Sequence, residues 1–329
     1  MLEHQKTSTV ARPDGFSSSH CVFRADTING ERRRAVLVGI NDYRGEANDL
    51  PSCINDVNAF EKILDKKYGF NQIVRLVDSG ATVANVTAAL RELFADASPA
   101  DRLVFFYSGH GSTELRRGEI KQCLVLYDGY FFDEGIVQMT LDLPPGIFTF
   151  VADCCFSGGL EKRILAPVSK HSKVVEWARA KSFLHPNRDG FVDDTRAMQD
   201  RAVKRFCEST CSRGSVTSAS LRVLSTVLEA FMMAPPSHEQ LNGVLLSACR
   251  ENETAAASTA STEGKSAFTY ALLHSLQALG LDATLDELVH ATQSLIKSTG
   301  FAQTPLIKEP KFPIDTRFRS FINFRAPTK

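Results

Sequence analysis

The sequence of 329 residues has no excess of charge and no long apolar segment. Lys and Arg together number 38, and so do Asp and Glu, so no net charge favours nucleic acid or a membrane surface as a partner. No apolar run approaches the roughly 20 residues that a membrane helix needs. Residues 1–30 contain no apolar core of the signal-peptide type. The sequence therefore predicts neither a nucleic-acid partner nor a membrane partner.

A disulfide framework is also missing. The chain has 8 cysteines without the regular spacing of disulfide-rich secreted domains, namely Cys21, Cys53, Cys123, Cys154, Cys155, Cys207, Cys211 and Cys249. Cys207 and Cys211 have a spacing that zinc ligands use, but no second pair matches it, so no metal site is predicted. Scattered thiols are typical of a reducing compartment, and a cytoplasmic location is expected.

Reactive side chains follow two apolar segments. Residues 102–111 are RLVFFYSGHG and residues 147–159 are IFTFVADCCFSGG, so each has the composition of a buried strand that stops at a glycine-containing turn. In open α/β sheets, ligands bind outside the carboxyl ends of the strands. We therefore expect His110 and the adjacent Cys154 and Cys155 at one edge of a sheet.

A histidine and a cysteine at such an edge suggest nucleophilic catalysis. Cysteine attacks as the thiolate and needs an imidazole or another positive influence nearby, so His110 with either Cys154 or Cys155 would form a dyad. The neighbouring glycines leave backbone N–H groups uncovered, which suits the stabilisation of an oxyanion. Each residue alone is better explained as a small buried side chain or a turn histidine. Their occurrence together favours catalysis.

The rest of the pattern predicts an α/β fold. Apolar segments alternate with segments of helical periodicity, whose expected caps are Ser52, Thr82 and Thr284, the last in a capping box with Glu287. Residues 304–310, TPLIKEP, are expected to form an edge strand because prolines flank them. Strands that alternate with helices of this length imply right-handed crossovers and a mainly parallel sheet.

Four stretches divide the chain. Residues 1–31 are polar and aperiodic and are expected to be a flexible extension. Residues 32–161, the large segment, carry both reactive motifs. Residues 162–236, the insert, are rich in Lys, Arg, Ser and Thr with weak periodicity, and are expected to be partly helical. Residues 237–329, the small segment, return to alternating strands and helices.

At these motifs the sequence resembles a known family. S-G-H-G at 108–111 and D-C-C-F-S-G-G at 153–159 resemble the catalytic motifs of the caspase-like cysteine peptidases. The resemblance is to the metacaspase and orthocaspase branch in particular, where the second motif is D-x-C-x-S-G, rather than to the Q-A-C-x-G of animal caspases. This register makes Cys155 the nucleophile and Cys154 its buried neighbour.

The resemblance continues in the small segment. SACRENETA at 247–255 and GKSAFTY at 264–270 are similar to the patterns S-G-C-x-D-x-Q-T-S and G-x-F-T of metacaspases. In total it covers residues 33–160 and 241–310, and it does not extend to the insert. The resemblance implies a caspase-like three-layer sandwich, with a mainly parallel six-stranded sheet and helices on both faces, built from a p20-like large segment and a p10-like small segment.

The resemblance also implies a mechanism. Cys155 would attack the carbonyl group of a protein or peptide substrate, and His110 would protonate the leaving amine. The backbone N–H groups of Gly111 and Cys155 would stabilise the oxyanion. No third catalytic residue is apparent from the spacing, and the chain is expected to act as a monomer.

A basic residue is expected at the P1 position of the substrate. Metacaspases bind Arg or Lys through acidic and polar residues that match Asp153, Ser108 and, in the motif L-P-S-C-I-N-D, Cys53 and Asp56, although Ser52 stands where Gly is usual. Asp153 has no adjacent basic residue, so we expect it to be available for a bound cation. Asp56 is equally well explained as a first-turn carboxylate that the helix dipole favours.

Calcium is not expected to be obligatory. Many metacaspases need it and carry an acidic run after the histidine motif, but residues 112–122 here are STELRRGEIKQ. Asp128 remains in a small β-ribbon predicted over residues 124–132 and Asp133 and Glu134 directly after it, where carboxylates are more often solvated. No cofactor is therefore predicted as essential.

The insert offers many basic residues at which such a peptidase could cut. We expect it to block the active site until it is cleaved, by the chain itself or by an activating protease, so that the chain is made as a zymogen. The candidate processing sites are Lys162, Arg163, Arg179, Lys181, Arg188, Lys204, Arg205 and Arg213.

Two alternative functions remain at this stage. The first is a caspase-like peptidase that prefers an acidic P1 residue, with Arg44 as the anchor. The second is a catalytically idle interaction module with the same fold.

Overall fold

A computed structural model describes most of the large and small segments. It covers residues 23, 31–43, 46–116, 119–155, 163–167, 175–181, 241–250, 253–308 and 319–322. Nearly all of the N-terminal extension and most of the insert therefore lie outside the described residues. The described residues all belong to one compact unit, which comprises Met1–Phe183 and Gln240–Lys329.

A six-stranded sheet forms the centre of this unit. Its neighbouring strands, from one edge to the other, are Leu306–Lys308 (β11), Val244–Ser247 (β10), Phe148–Asp153 (β7), Arg102–Ser108 (β3), Arg33–Gly39 (β1) and Gln72–Val77 (β2). All neighbours run parallel except β10 and the edge strand β11. The nearly continuous apolar runs of β3 and β7 are typical of strands that are covered on both faces.

Helices cover both faces of the sheet. In the described residues they are Cys53–Tyr68 (α1), Val83–Phe94 (α2), Asp133–Thr140 (α3), Ala267–Leu279 (α4) and Leu285–Ser298 (α5). Successive β3 residues point to opposite faces: Phe106 belongs to the core shared with α1, α4 and α5, whereas Phe105 belongs to the core shared with α2 and α3. None of these described helices is long and apolar enough to cross a bilayer. The three layers confirm the predicted fold class.

Some elements were not predicted. Gly111–Arg116 (β4), Glu119–Val125 (β5) and Tyr130–Phe132 (β6) form a three-stranded ribbon that is larger than the one expected, because the charged residues of β4 and β5 hide any apolar alternation. The eight-residue helix α3 follows Phe132, which gives no side-chain cap. The described part of the insert contains a hairpin, Arg163–Pro167 (β8) with Val175–Arg179 (β9), rather than a helix.

The predicted helix caps are correct in two cases and wrong in one. Thr82 accepts a hydrogen bond from the Asn85 N–H at 3.2 Å, and Thr284 forms the expected capping box with Glu287. Ser52 precedes α1 but makes no capping hydrogen bond. Its buried hydroxyl lies 2.8 Å from the hydroxyl of Ser266 instead. A buried hydroxyl needs a hydrogen-bond partner, and Ser266 provides it in place of the N–H groups of the helix.

Gly39 ends β1 where the strand touches the first turn of α1. A Cβ atom there would lie 2.6 Å from Val57 Cγ2 and 2.8 Å from the carbonyl oxygen of Cys53. We expect Gly39→Ala to lower the free energy of unfolding by about 1–3 kcal/mol, because the helix must move away from the sheet. Chemical denaturation measures this against Gly80→Ala, where nothing lies within 4 Å. Equal stability of the two variants would contradict the prediction.

Candidate active site

The carboxyl ends of β3 and β7 bring the two reactive motifs together. The strands pair with Ser108 opposite Asp153, and the Gly109 N–H donates to the carbonyl oxygen of Asp153 at 3.3 Å. His110 and Cys155 each follow these paired residues in the chain, so both leave the same edge of the sheet. Their exposed fractions are only 2% and 0%.

His110 is held by groups that the sequence did not indicate. Its Nε2 atom lies 2.6 Å from the carbonyl oxygen of Asn48, which fits the tautomer protonated at Nε2 and makes Nδ1 the basic nitrogen. Its backbone N–H donates to the Tyr43 hydroxyl at 2.8 Å, and the Tyr107 hydroxyl donates to its carbonyl oxygen at 2.7 Å. Burial raises the pKa of both tyrosines well above their usual value, so both hydroxyls keep their protons.

Cys155 lies against the small segment. Its sulfur accepts a hydrogen bond from the Ala255 N–H at 2.8 Å and lies beside the thiol of Cys249. This contact and burial raise the pKa of Cys249 far above its usual value. Cys154 packs in the core on the α2 face, where burial raises the pKa of its thiol as well. The two adjacent cysteines therefore lie in different environments.

A buried ammonium group fills the pocket that the predicted P1-binding residues form. The Nζ atom of Lys181 lies 2.9 Å from Asp153 Oδ1, 2.8 Å from Ser108 Oγ and 3.5 Å from Asp56 Oδ2. It also donates to the carbonyl oxygen of Asp153 at 3.0 Å. Cys53 lies beside them, and burial raises the pKa of its thiol to about 12. All four predicted residues therefore lie around one cationic side chain.

The expectation that Asp153 is available for an external cation is wrong for this state of the chain. Its ion-pair partner, Lys181, is separated from it by 28 residues, so adjacency in the sequence could not reveal the pair. The side chains of Lys181, Asp153 and Asp56 are fully buried. Burial raises the pKa of Asp56 against the opposing effect of Lys181. Burial alone would lower the pKa of Lys181, but the attraction of Asp153 and its neighbours raises it.

The backbone around Lys181 runs alongside the small segment. Residues 179–181 pair antiparallel with residues 255–257, through hydrogen bonds of 3.0 and 2.8 Å. The carbonyl oxygen of Lys181 accepts a hydrogen bond from the Gly111 N–H at 3.2 Å. Gly111 cannot carry a side chain here, since a Cβ atom would lie 1.9 Å from the carbonyl oxygen of Cys155. The group expected to stabilise an oxyanion thus contacts the carbonyl of Lys181.

Besides Lys181, Arg179 is the candidate processing site whose side chain the structure describes. The Arg179 guanidinium donates to the carbonyl oxygens of Asp49 and Glu46. Arg163 begins β8, and its side chain lies outside the description. Residues that fall wholly outside it are Lys162, Arg188, Lys204, Arg205, Arg213 and the alternative anchor Arg44.

Two residues of the GKSAFTY motif also reach the pocket. Ser266 donates to Asp56, and Thr269 donates to Asp153. The sequence separation of 210 residues between Asp56 and Ser266 concealed this contact. The motif itself was visible in the sequence, and it is the signal from which both donors could have been found.

Comparisons with known proteins agree with this architecture. The sequence model of the caspase domain family, Peptidase_C14, matches residues 32–313. Metacaspase-4 of Arabidopsis thaliana is 31% identical over 187 residues, which cover 52% of this chain and 44% of the relative. Metacaspase-9 of the same plant is 36% identical over 166 residues, with coverages of 44% and 50%. The chain thus spans about half the length of these relatives or less.

A solved structure supports the fold. The crystal structure of a Geobacter sulfurreducens protein matches with a TM-score of 0.58 at 16% identity, and covers 88% of this chain and 97% of that protein. This similarity concerns the fold alone. The family match, by contrast, includes both strand-end motifs and most of the small segment. The chain belongs to the caspase domain family of cysteine-type peptidases.

Proposed function

We propose that this chain is a cysteine endopeptidase of the metacaspase type, which cleaves protein substrates after Lys or Arg, and that the uncut chain is a zymogen. The observation that carries the proposal is the position of Lys181. Its ammonium group fills the acidic pocket, and its carbonyl oxygen accepts a hydrogen bond from Gly111. A substrate residue at P1 would make the same contacts, so Lys181 occupies the place of the substrate.

The catalytic steps are assigned to His110 and Cys155, which leave the same edge of the sheet. Nδ1 of His110 accepts the thiol proton while the sulfur adds to the carbonyl carbon of the P1 residue. The N–H groups of Gly111 and Cys155 stabilise the oxyanion that forms. His110 then gives the proton to the leaving amine as the C–N bond breaks. Water, deprotonated by His110, hydrolyses the thioester and restores the thiol.

The pocket favours a cation over an anion at P1. Asp56 and Asp153 are both fully buried, and an acidic side chain between them would meet two like charges in a medium of low polarity. The alternative anchor Arg44 lies outside the described residues. The described residues therefore support a basic P1 preference rather than an acidic one.

Fluorogenic peptides that end in Lys, Arg or Asp test this specificity. After the chain has processed itself, we expect kcat/KM for the Lys and Arg peptides to exceed that for the Asp peptide by about 10³-fold or more, because like charges at close range cost several kcal/mol. The three peptides should share all other positions. Faster cleavage of the Asp peptide would contradict the basic specificity and leave the fold assignment intact.

Two of the three carboxylates that the sequence singled out as possible calcium ligands have partners in the protein. Asp128 accepts a hydrogen bond from the Val83 N–H at 2.8 Å, and Glu134 pairs with Lys121 at 2.5 Å. The described part of the chain contains no group of three or more His, Cys, Asp or Glu side chains that could hold a metal ion.

We expect millimolar EDTA to leave the peptidase activity unchanged. The partners of Asp128 and Glu134 support this expectation, because both carboxylates already bind groups of the protein. The measurement is the rate of hydrolysis of an Arg peptide with and without chelator. Any loss of activity would contradict the prediction, and restoration by added calcium, rather than by another metal, would identify calcium as the ion.

A further inference from the structure

Two fully buried carboxylates share one lysine in the P1 pocket. Asp56, Asp153 and Lys181 have no exposed side-chain surface, so two carboxyl groups face one ammonium group inside the protein. A buried charge without hydrogen-bond donors is costly and tends to be neutralised by protonation. When Lys181 leaves, the two carboxylates lose their cation, and other groups must keep them charged.

The N-terminal end of α4 provides these groups. Ser266, which precedes the helix, donates from its backbone N–H to Asp56 Oδ1 at 2.8 Å and from its hydroxyl to Asp56 Oδ2 at 2.5 Å. Thr269, in the first turn, donates from its N–H and hydroxyl to Asp153 Oδ2 at 3.2 and 2.6 Å. Backbone N–H groups in this turn have no partner within the helix, and the helix dipole also favours negative charge there.

The donors also set the direction of each carboxylate. Thr269 occupies Oδ2 of Asp153 and so directs Oδ1 to the cation. Ser266 holds both oxygens of Asp56, and the Ser108 hydroxyl donates to Oδ2 at 2.7 Å. The Ser266 hydroxyl makes no capping bond to its own helix, and its described partners are Asp56 and the Ser52 hydroxyl. The carboxylates therefore remain oriented when the lysine is absent.

We propose that Ser266 and Thr269 are positioning residues that determine the preference for a basic P1 side chain, because they keep Asp56 and Asp153 charged and oriented in the open pocket. This inference rests on the proposed function. It assigns a role to the GKSAFTY motif, and it makes the pocket a joint product of the large and small segments. Neither residue touches the reacting atoms.

The pKa of Asp56 gives the expected pH response. Burial raises this pKa, and Lys181 and the hydroxyls of Ser266 and Ser108 lower it. Among the described residues, the charged or titratable groups that face Asp56 are Lys181, Asp153 and Cys53. Once Lys181 has left, the hydroxyls of Ser266 and Ser108 and the backbone N–H of Ser266 still donate to the Asp56 carboxylate. Removal of the Ser266 hydroxyl should raise the pKa of Asp56 and delay its ionisation to higher pH.

The experiment compares the hydrolysis of a Lys peptide by variants that are produced as the whole chain and have then processed themselves. We expect Thr269→Val to raise KM about tenfold or more at neutral pH with little change in kcat, since it removes a hydrogen bond to a charged group that acts in binding. We expect Ser266→Ala to move the acid limb of kcat/KM to higher pH. Thr269→Ser keeps the hydroxyl and should restore the wild-type KM.

Thr292→Val in α5 is the matched control. It removes an equally buried threonine hydroxyl, which donates to the Leu288 carbonyl oxygen of its own helix at 2.7 Å, and it should alter neither KM nor the acid limb. If Thr269→Val and Ser266→Ala both kept the wild-type KM and the wild-type acid limb of kcat/KM, the inference would be overturned. If Thr269→Val does not fold, an unchanged acid limb in Ser266→Ala overturns it alone. A wild-type chain that cleaves no basic peptide refutes the proposed function instead.

Discussion

Cys155→Ala is expected to abolish peptide hydrolysis and self-cleavage, with a fall in kcat on the order of 10⁴-fold or more. Alanine cannot form the thioester, and the remaining groups can only bind and polarise the carbonyl. A mass spectrum of the purified chain, recorded over time, should show the wild type converting to fragments and the variant remaining intact. Self-cleavage of the variant at the wild-type rate would refute the assignment of Cys155 as the nucleophile.

Cys154→Ala is the matched control for this experiment. Cys154 is the adjacent residue, is equally buried and packs in the core on the opposite face of the sheet. We expect this variant to lose some stability through the small cavity and to keep its peptidase activity. If Cys154→Ala were inactive and Cys155→Ala active, Cys154 would be the nucleophile and Cys155 the buried neighbour. A wild type as inactive as both variants would favour the idle interaction module.

Lys181→Ala is expected to slow cleavage of the bond after residue 181 by about 10²-fold or more. The change removes a buried, hydrogen-bonded partner of two carboxylates, which costs several kcal/mol of binding. The fragment that ends at residue 181 should therefore be much weaker in the mass spectrum of Lys181→Ala than in that of the wild type. Lys181→Arg keeps the charge and should keep that fragment. The appearance of the same fragment from Lys181→Ala at the wild-type rate would contradict the assignment of P1.

Occupancy of the pocket can be measured without catalysis. In a Cys155→Ala background the chain stays uncut, and Lys181 should exclude an added Lys peptide. The double variant with Lys181→Ala opens the pocket, and we expect it to bind the peptide at least about tenfold more tightly. Arg179→Ala in the same background is the control, because Arg179 contacts backbone carbonyls outside the acidic pocket. Equal affinity of the two double variants would contradict autoinhibition by Lys181.

The central strands and the positions of His110 and Cys155 were predictable because local sequence patterns indicate them. An apolar run that ends at glycine identifies β3 and β7, and their parallel pairing is what brings His110 and Cys155 to one edge. Caps such as Thr82 depend on only a few neighbouring residues. Segments of this kind carry their structural information within a single turn or strand.

The contacts that escaped prediction join distant parts of the chain. Asn48 orients the His110 ring through a carbonyl oxygen, which every residue possesses and no sequence pattern marks. Lys181 was one of many basic residues in a polar insert, and only the fold distinguishes it from the others. Ser52 followed the rule for a helix cap, but a buried hydroxyl in another segment offered a better partner.

The position of β10 has a consequence for the cut protein. β10 pairs with β7 of the large segment, and α4 and α5 share one apolar core with α1. Severing the chain after residue 181 removes a covalent link but none of these contacts. The fragments should therefore elute together as one particle in native chromatography and come apart only in denaturant, so a two-band gel would report maturation rather than degradation.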